Sequence, residues 1–236
     1  MSQQFHRAIV VGGSSGIGRE LVLQLAASGC QVASVARRSE PQGEGIKTYV
    51  HDVTDFDTVP ALFQQLCLEL GGLDLIVYAA GVMPAVGPDE FSFSKDKQMV
   101  EVNILGAVAW LNEAAQRFGQ AGGGTIVGIG SVAGERGRAP KPAYGATKAF
   151  LECYLESLRN RVGTKGVKVV TIKPGPTDTP MATDHVGKKL PVAEAARQIL
   201  AAARAGKRVA YIPWTMSLAF FLIRRLPSPI MQRLKF

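Results

Sequence analysis

The chain has 236 residues, 47% of them hydrophobic, with 27 Lys and Arg against 19 Asp and Glu and a formal net charge of +8. That length supports one sizeable core, and the absence of repeats, low-complexity tracts or an inter-domain linker excludes a solenoid or a string of small modules. Cys30, Cys67 and Cys153 are odd in number, far apart and lack a Cys-x-x-Cys pair, which excludes a disulfide framework and a zinc site. Reduced thiols and an N-terminus that runs directly into a strand lead us to expect a cytoplasmic chain without a signal peptide.

In chain order, the run from Arg7 through Ala8-Ile9-Val10-Val11 reads as a buried strand. Gly12-Gly13-Ser14-Ser15-Gly16-Ile17-Gly18 then opens a helix reaching about Ser28. Strand, glycine turn and helix in this order cradle a dinucleotide: glycine lets the backbone approach a pyrophosphate, and the first helical turn offers free N–H groups. Val32–Ala36 is the next apolar strand, ending on Arg37-Arg38, and a helix follows near 55–70. Leu73–Val77 leads into Tyr78-Ala79-Ala80-Gly81, and a helix near 95–118 carries Asn103. Gly122-Gly123-Gly124 turns into the strand Thr125–Ile129, beyond which stands Ser131. A helix near 143–162 begins with Tyr144-Gly145-Ala146-Thr147-Lys148; Val167–Ile172 is a strand, and a last helix spans about 191–205. Runs apolar on both faces, alternating with helices, predict one α/β domain: a single Rossmann-type, doubly wound parallel sheet flanked by helices on both faces. His6, His51 and His185 read as surface residues rather than catalysts.

Tyr144 and Lys148 carry the chemistry. Residues at i and i+4 share a helix face, so the ammonium stands beside the phenol and favours its ionised form. Ser131 is placed to share a substrate oxygen with Tyr144. The Gly-x-x-x-Gly-x-Gly turn together with Tyr-x-x-x-Lys resembles the short-chain dehydrogenase/reductase family over roughly residues 5–212. The resemblance implies a catalytic tetrad of Asn103, Ser131, Tyr144 and Lys148. Lys148 also grips the nicotinamide ribose, and Asn103 holds a water linking Lys148 to solvent. It further implies cofactor contacts from Gly12, Ser14, Ser15, Gly16, Ile17 and Gly18, and an adenine pocket at Asp52-Val53. Ala80-Gly81 lets the cofactor lie close, and Pro174-Gly175-Pro176-Thr177-Asp178-Thr179 meets the carboxamide, with Pro174, Gly175, Thr177 and Thr179 as contacts. Two positions depart from the family pattern: Val11 stands for its threonine, and Tyr78-Ala79 for its Asn-Asn, which puts the rigidity around that turn in question. A substrate lid is expected near 178–190, and a homodimer or homotetramer paired through the helices near 95–118 and 143–162.

At the end of the second strand, Ala36 replaces the acid that binds a ribose 2′-hydroxyl, and Arg37 and Arg38 suit a 2′-phosphate. NADP(H) is therefore expected in preference to NAD(H), with carbonyl reduction as the working direction. After Glu194 the chain carries eight cations and no acid, so the whole net charge lies there. Residues 213–236 read as a basic amphipathic extension of the same domain, in which Trp214, Phe220 and Phe221 beside Arg224 and Arg225 suit peripheral contact of 214–236 with an anionic membrane. The apolar stretch is too short to span a bilayer. Arg136, Arg138 and Lys141 form a second basic cluster between Ser131 and Tyr144, in a loop that the family resemblance implies borders the mouth of the site. The expected function is reduction of an apolar or lipid-like ketone, a small-molecule substrate with no nucleic acid involved. The alternatives are a β-ketoacyl-acyl carrier protein reductase, for which that basic cluster would receive the carrier, and a catalytically idle NADP-binding scaffold.

Overall fold

In the computed structural model, which describes residues 4–87, 89–182 and 186–234, seven strands form one sheet. They are β1 (Arg7–Val11), β2 (Gln31–Ala36), β3 (Ile46–Val50), β4 (Leu75–Tyr78), β5 (Gly124–Ile129), β6 (Val167–Pro174) and β7 (Val209–Ile212). Every pairing is parallel and the spatial order is β3-β2-β1-β4-β5-β6-β7. Residues Ala8 to Val11 and Leu75 to Tyr78 are all buried, which is why these segments are apolar on both faces. The two edge strands, β3 and β7, were not among the apolar runs. Each has one covered side only, so Val50 and Val209 stand exposed and the hydrophobic signal is diluted.

The helices α1 (Gly16–Ala27) and α6 (Val192–Arg204) cover one face of the sheet around Leu21, Leu25, Ile199 and Leu200. The other face is covered by α2 (Val59–Glu69), α4 (Gly106–Ala121) and α5 (Pro142–Val162), packed around Phe63, Trp110, Leu151 and Leu155. The doubly wound architecture read from the sequence is the one observed. The order in which strands are added to the sheet reverses between β1 and β4, so the connections after these strands part and leave a crevice at their carboxyl ends. Gly12 lies against the turn after β4: at φ 90° a Cβ there would come within 2.4 Å of the Ala80 nitrogen.

The helix expected near 95–118 is broken. It runs as α3 (Phe93–Val100), a π-turn at Glu101–Leu105, and then α4. Tyr78, at the replaced Asn-Asn pair, meets this turn. Tyr78 is fully buried and its hydroxyl donates to Val102 O, within the π-turn, at 2.6 Å. Gly106 makes room, since a Cβ there would lie 2.6 Å from the same hydroxyl. The turn after β4 is therefore braced by a phenol where the family pattern has an asparagine.

At the C-terminus, α7 (Thr215–Ile223) and α8 (Ser228–Met231) follow β7. Phe220 is buried and Met216 lies against Gly175, so the extension is anchored on the body of the domain.

Tyr78→Phe leaves Val102 O buried without its donor, a cost of about 1–3 kcal/mol. In a chain of this size each kcal/mol lowers Tm by about 2–4 °C. Calorimetry of the variant should show that fall; an unchanged Tm would mean that the π-turn does not depend on the phenol.

Candidate active site

Ser131, Tyr144 and Lys148 and every cofactor contact named above line one cavity of about 960 Å³ at the carboxyl ends of β1, β4, β5 and β6. Asn103 is the exception. It is buried in the π-turn, where its Oδ1 accepts from Val82 N at 2.8 Å and its Nδ2 donates to Val82 O and Thr147 Oγ1 at 3.0 and 3.1 Å. Both amide hydrogens are thus committed, and Asn103 ties the turn after β4 to α5 instead of facing the cavity.

At one end of the cavity, α1 begins with Ser15 in extended geometry, its side chain uncommitted to capping and no acid in the first turn. The positive end of the helix is unshielded and points along the glycine turn, a fit for a pyrophosphate. Arg37 and Arg38 line the same end with Asp52. The Thr54 amide holds the Asp52 carboxyl below its usual range, and Arg37 contributes to that. His51, expected on the surface, is half-buried: Nε2 meets Thr58 Oγ1 at 3.0 Å and the ring lies edge-on to Trp110.

At the other end, Ser131 caps a 3-10 turn at Val132–Glu135 by accepting from Ala133 N at 3.1 Å. Tyr144 is half-buried, and its hydroxyl lies 4.0 Å from Met181 Sδ. Burial raises the phenol pKa above its usual value, opposed by a hydrogen bond with Ser131 and by the charge of Arg138. Lys148 was expected to be the group that lowers it. Its ammonium donates to Ile129 O at 2.9 Å and stands 5.7 Å from the Tyr144 ring centroid. Burial pushes Lys148 down to about 8, against the charge of Glu152.

Glu152 is one further turn along the face that carries Tyr144 and Lys148, and the sequence reading missed it. Its Oε1 accepts from Ser131 N at 3.2 Å, and its Oε2 lies 2.9 Å from Lys173 Nζ. Lys173 also reaches Glu135 at 2.6 Å, and Arg224 meets Glu135 from the solvent side at 3.1 Å. Burial raises the Glu152 pKa, with Lys173 holding it back. Arg136, expected at the mouth of the site, is turned away: it donates to Leu226 O at 3.0 Å. The expected lid is described in part, since residues 183–185, His185 among them, lie outside the described residues. Among the described residues no group of His, Cys, Asp and Glu could hold a metal ion.

The family profile described as short chain dehydrogenase matches residues 6–189. An uncharacterised oxidoreductase of Myxococcus xanthus is 36% identical over 181 residues, covering 72% of each chain. A cis-4-hydroxycyclohexanecarboxylate dehydrogenase of Sinomonas cyclohexanicum is 30% identical over 184 residues, covering 74% of each. Among solved structures, a short chain dehydrogenase of Burkholderia cenocepacia in complex with NADP superposes with a TM-score of 0.84 at 21% identity, covering the whole of both chains.

An NMR titration of the Lys148 side chain should give a midpoint near 8. Glu152→Gln removes the charge that supports the ammonium, so the midpoint should fall further. A midpoint that stays put or rises would show that Glu152 does not act on Lys148.

Proposed function

This chain belongs to the short-chain dehydrogenase family of oxidoreductases, and we propose that it reduces an apolar ketone to a secondary alcohol with NADP(H). The observation that carries the reading is the convergence of Ser131, Tyr144 and Lys148 on the wall of a cavity whose far end is the glycine turn and the bare start of α1. A bound reduced nicotinamide would supply the hydride. Tyr144 gives its proton to the oxygen that becomes the alcohol. Ser131 donates a hydrogen bond to the same oxygen, and that bond is strongest as the oxygen becomes negative. Lys148 lies within the buried layer beneath, where its ammonium favours the phenolate that Tyr144 leaves behind. A raised phenol pKa keeps Tyr144 protonated at neutral pH, which suits a proton donor and hence reduction.

The preference for NADP(H) is supported by Ala36, which leaves no acid at the end of β2, and by Arg37 and Arg38 on the cavity wall. Val82, Met83 and Met181 give the substrate end apolar walls. The cyclohexanecarboxylate dehydrogenase supports a small secondary alcohol or ketone over a macromolecular substrate. A carrier-protein reductase is less well supported, because Arg136 is engaged by the C-terminal segment and not by the mouth. Exposed Leu105 and Phe150, on the α4 and α5 side, support self-association there.

On α7 and just before it, Trp214, Leu218, Phe221 and Leu222 are exposed, and Arg225 lies 3.6 Å from the Phe221 ring centroid. No helix among the described residues is long and apolar enough to cross a membrane. This surface supports peripheral contact with anionic lipid.

Three outcomes follow. Tyr144→Phe should abolish NADPH oxidation by a ketone while NADPH still binds; retained turnover would remove Tyr144 as the acid. Arg37→Ala should weaken NADPH by about 1.5–3 kcal/mol and NADH by much less, read by fluorescence titration; equal losses would leave the cofactor preference without support. Leu218→Glu with Leu222→Glu should end co-sedimentation with anionic vesicles while ketone reduction continues. If the wild type ignores such vesicles, the lipid contact is wrong.

A further inference from the structure

The C-terminal segment reaches the active site from behind. Met216 of α7 lies against Gly175 on the cavity wall, 3.0 Å from where a Cβ there would stand. At the end of α7, Arg224 meets the loop that follows Ser131, its Nη1 3.1 Å from Glu135 Oε2. The Arg224 side chain is 44% exposed and that of Glu135 only 3%, so a cation from the solvent side answers a buried carboxylate. Glu135 also accepts from Tyr211 and lies 2.6 Å from Lys173 Nζ, whose second partner is Glu152 Oε2 at 2.9 Å. Glu152 in turn is packed on the turn that carries Ser131. A Cβ on Gly130 would come within 2.8 Å of its Oε1 and a Cβ on Gly134 within 2.9 Å, and the same oxygen accepts from Ser131 N at 3.2 Å. The series Arg224, Glu135, Lys173, Glu152 thus runs from a helix end at the surface to the backbone of the serine and to the charge that supports Lys148.

Carboxylates buried this deeply are tolerated only when each is paired. With Lys173 as their shared cation, Glu135 and Glu152 compete for one ammonium, and burial then favours protonation of Glu152. A neutral acid holds Ser131 N less firmly than a carboxylate does, and it offers Lys148 no counter-charge. We propose that Arg224 is a positioning residue for the reduction: by answering Glu135 it leaves Lys173 to Glu152, and so fixes Ser131 from outside the cavity. The proposal rests on the reductase reading above and adds to it a residue that touches neither substrate nor cofactor. What Arg224 supplies is the balance of charge at Glu135, which distinguishes it from a helix that merely props the loop.

The test is a charge-balance series made in the full chain, with turnover read as NADPH oxidation by the best of a panel of cyclic and straight-chain ketones. Arg224→Gln should lower kcat about tenfold, the size of one charge-assisted hydrogen bond, and leave KM for NADPH unchanged, because Arg37 and the glycine turn lie at the other end of the cavity. Arg224→Lys should keep most of the rate. Adding Glu135→Gln to Arg224→Gln should restore it, since the carboxylate that required the second cation is then gone. A prop without an electrostatic role would only weaken further on losing both sides of the contact. The Ser131 amide resonance reports the same event without turnover: it should move in Arg224→Gln and return in the double variant. Full rate or an unmoved amide in Arg224→Gln, or a double variant no better than the single, overturns the proposal. If Arg224→Gln does not fold, the double variant decides: it must fold and show the wild-type Ser131 amide, and failure in either overturns the proposal. Wild-type protein that oxidises NADPH with no ketone would sink the reductase reading, while the amide series would still decide whether Arg224 positions the serine.

Discussion

The site depends on how a buried ammonium is kept charged. Lys148 is surrounded by protein, and burial alone drives it toward neutrality. The opposing charge is Glu152, which would itself prefer to be protonated at that depth. Lys173 resolves the conflict by bridging Glu152 and Glu135, whose carboxyl is held below its usual range despite burial by Lys173, Tyr211 and Arg224. Removing one member of such a cluster leaves a partner charged and unpaired in a low-dielectric interior, which is far more costly than never having placed the pair there. The same Glu152 receives Ser131 N, so one carboxylate fixes the serine and supports the lysine. The charge of Lys148 on the cavity wall is therefore governed from behind by Glu152, Lys173 and Glu135, which do not line the cavity.

Part of this was legible in the sequence, and the reason differs from residue to residue. Tyr144 and Lys148 are written at helical spacing, the glycine turn is written at turn spacing, and both survive folding because local geometry alone places them. Glu152 continues the same i, i+4 series, but spacing does not say whether a glutamate on that face is buried. Its neutralising partner arrives from β6 and the next carboxylate from the 3-10 turn, which are distant in sequence. Tyr78 was read as a lost asparagine. Its replacement role needs a carbonyl in the π-turn and the empty Cβ position at Gly106, and no periodicity in the chain announces that pairing. The edge strands escaped notice for a simpler reason: half-covered strands need not be apolar throughout. Asn103 was found by motif, while its orientation, inward across Val82 and Thr147, belongs to tertiary packing.

The loop from Ser131 to Tyr144 joins these results. Its first half is tied down: Glu135 is gripped by Lys173 and Arg224, and Arg136 holds Leu226 O. Its second half, Arg138 to Lys141, leaves that anchor and enters the cavity wall. The loop is thus clamped from behind by the C-terminal segment and presents cations in front. Arg224 and Arg136 contribute to this clamp, so the basic charge near the C-terminus is not one uniform surface. Some of it is internal fastening, and Arg225 on the outer side of α7 remains exposed beside Phe221.

This division alters what a C-terminal truncation would mean. Ending the chain at Pro213 removes Arg224 from Glu135 and Leu226 O from Arg136 in one step, and with them the packing of Met216 on Gly175. Loss of activity in such a fragment would follow from slackening the loop that carries Ser131 and Arg138, whatever the outer face of α7 contacts. The proposed lipid contact and the clamp on the loop would share a segment but use opposite sides of it. Only substitutions confined to the exposed side, at Leu218 and Leu222, separate the two. The extension is then best described as a brace whose inner side holds the loop beside the cavity and whose outer side is exposed.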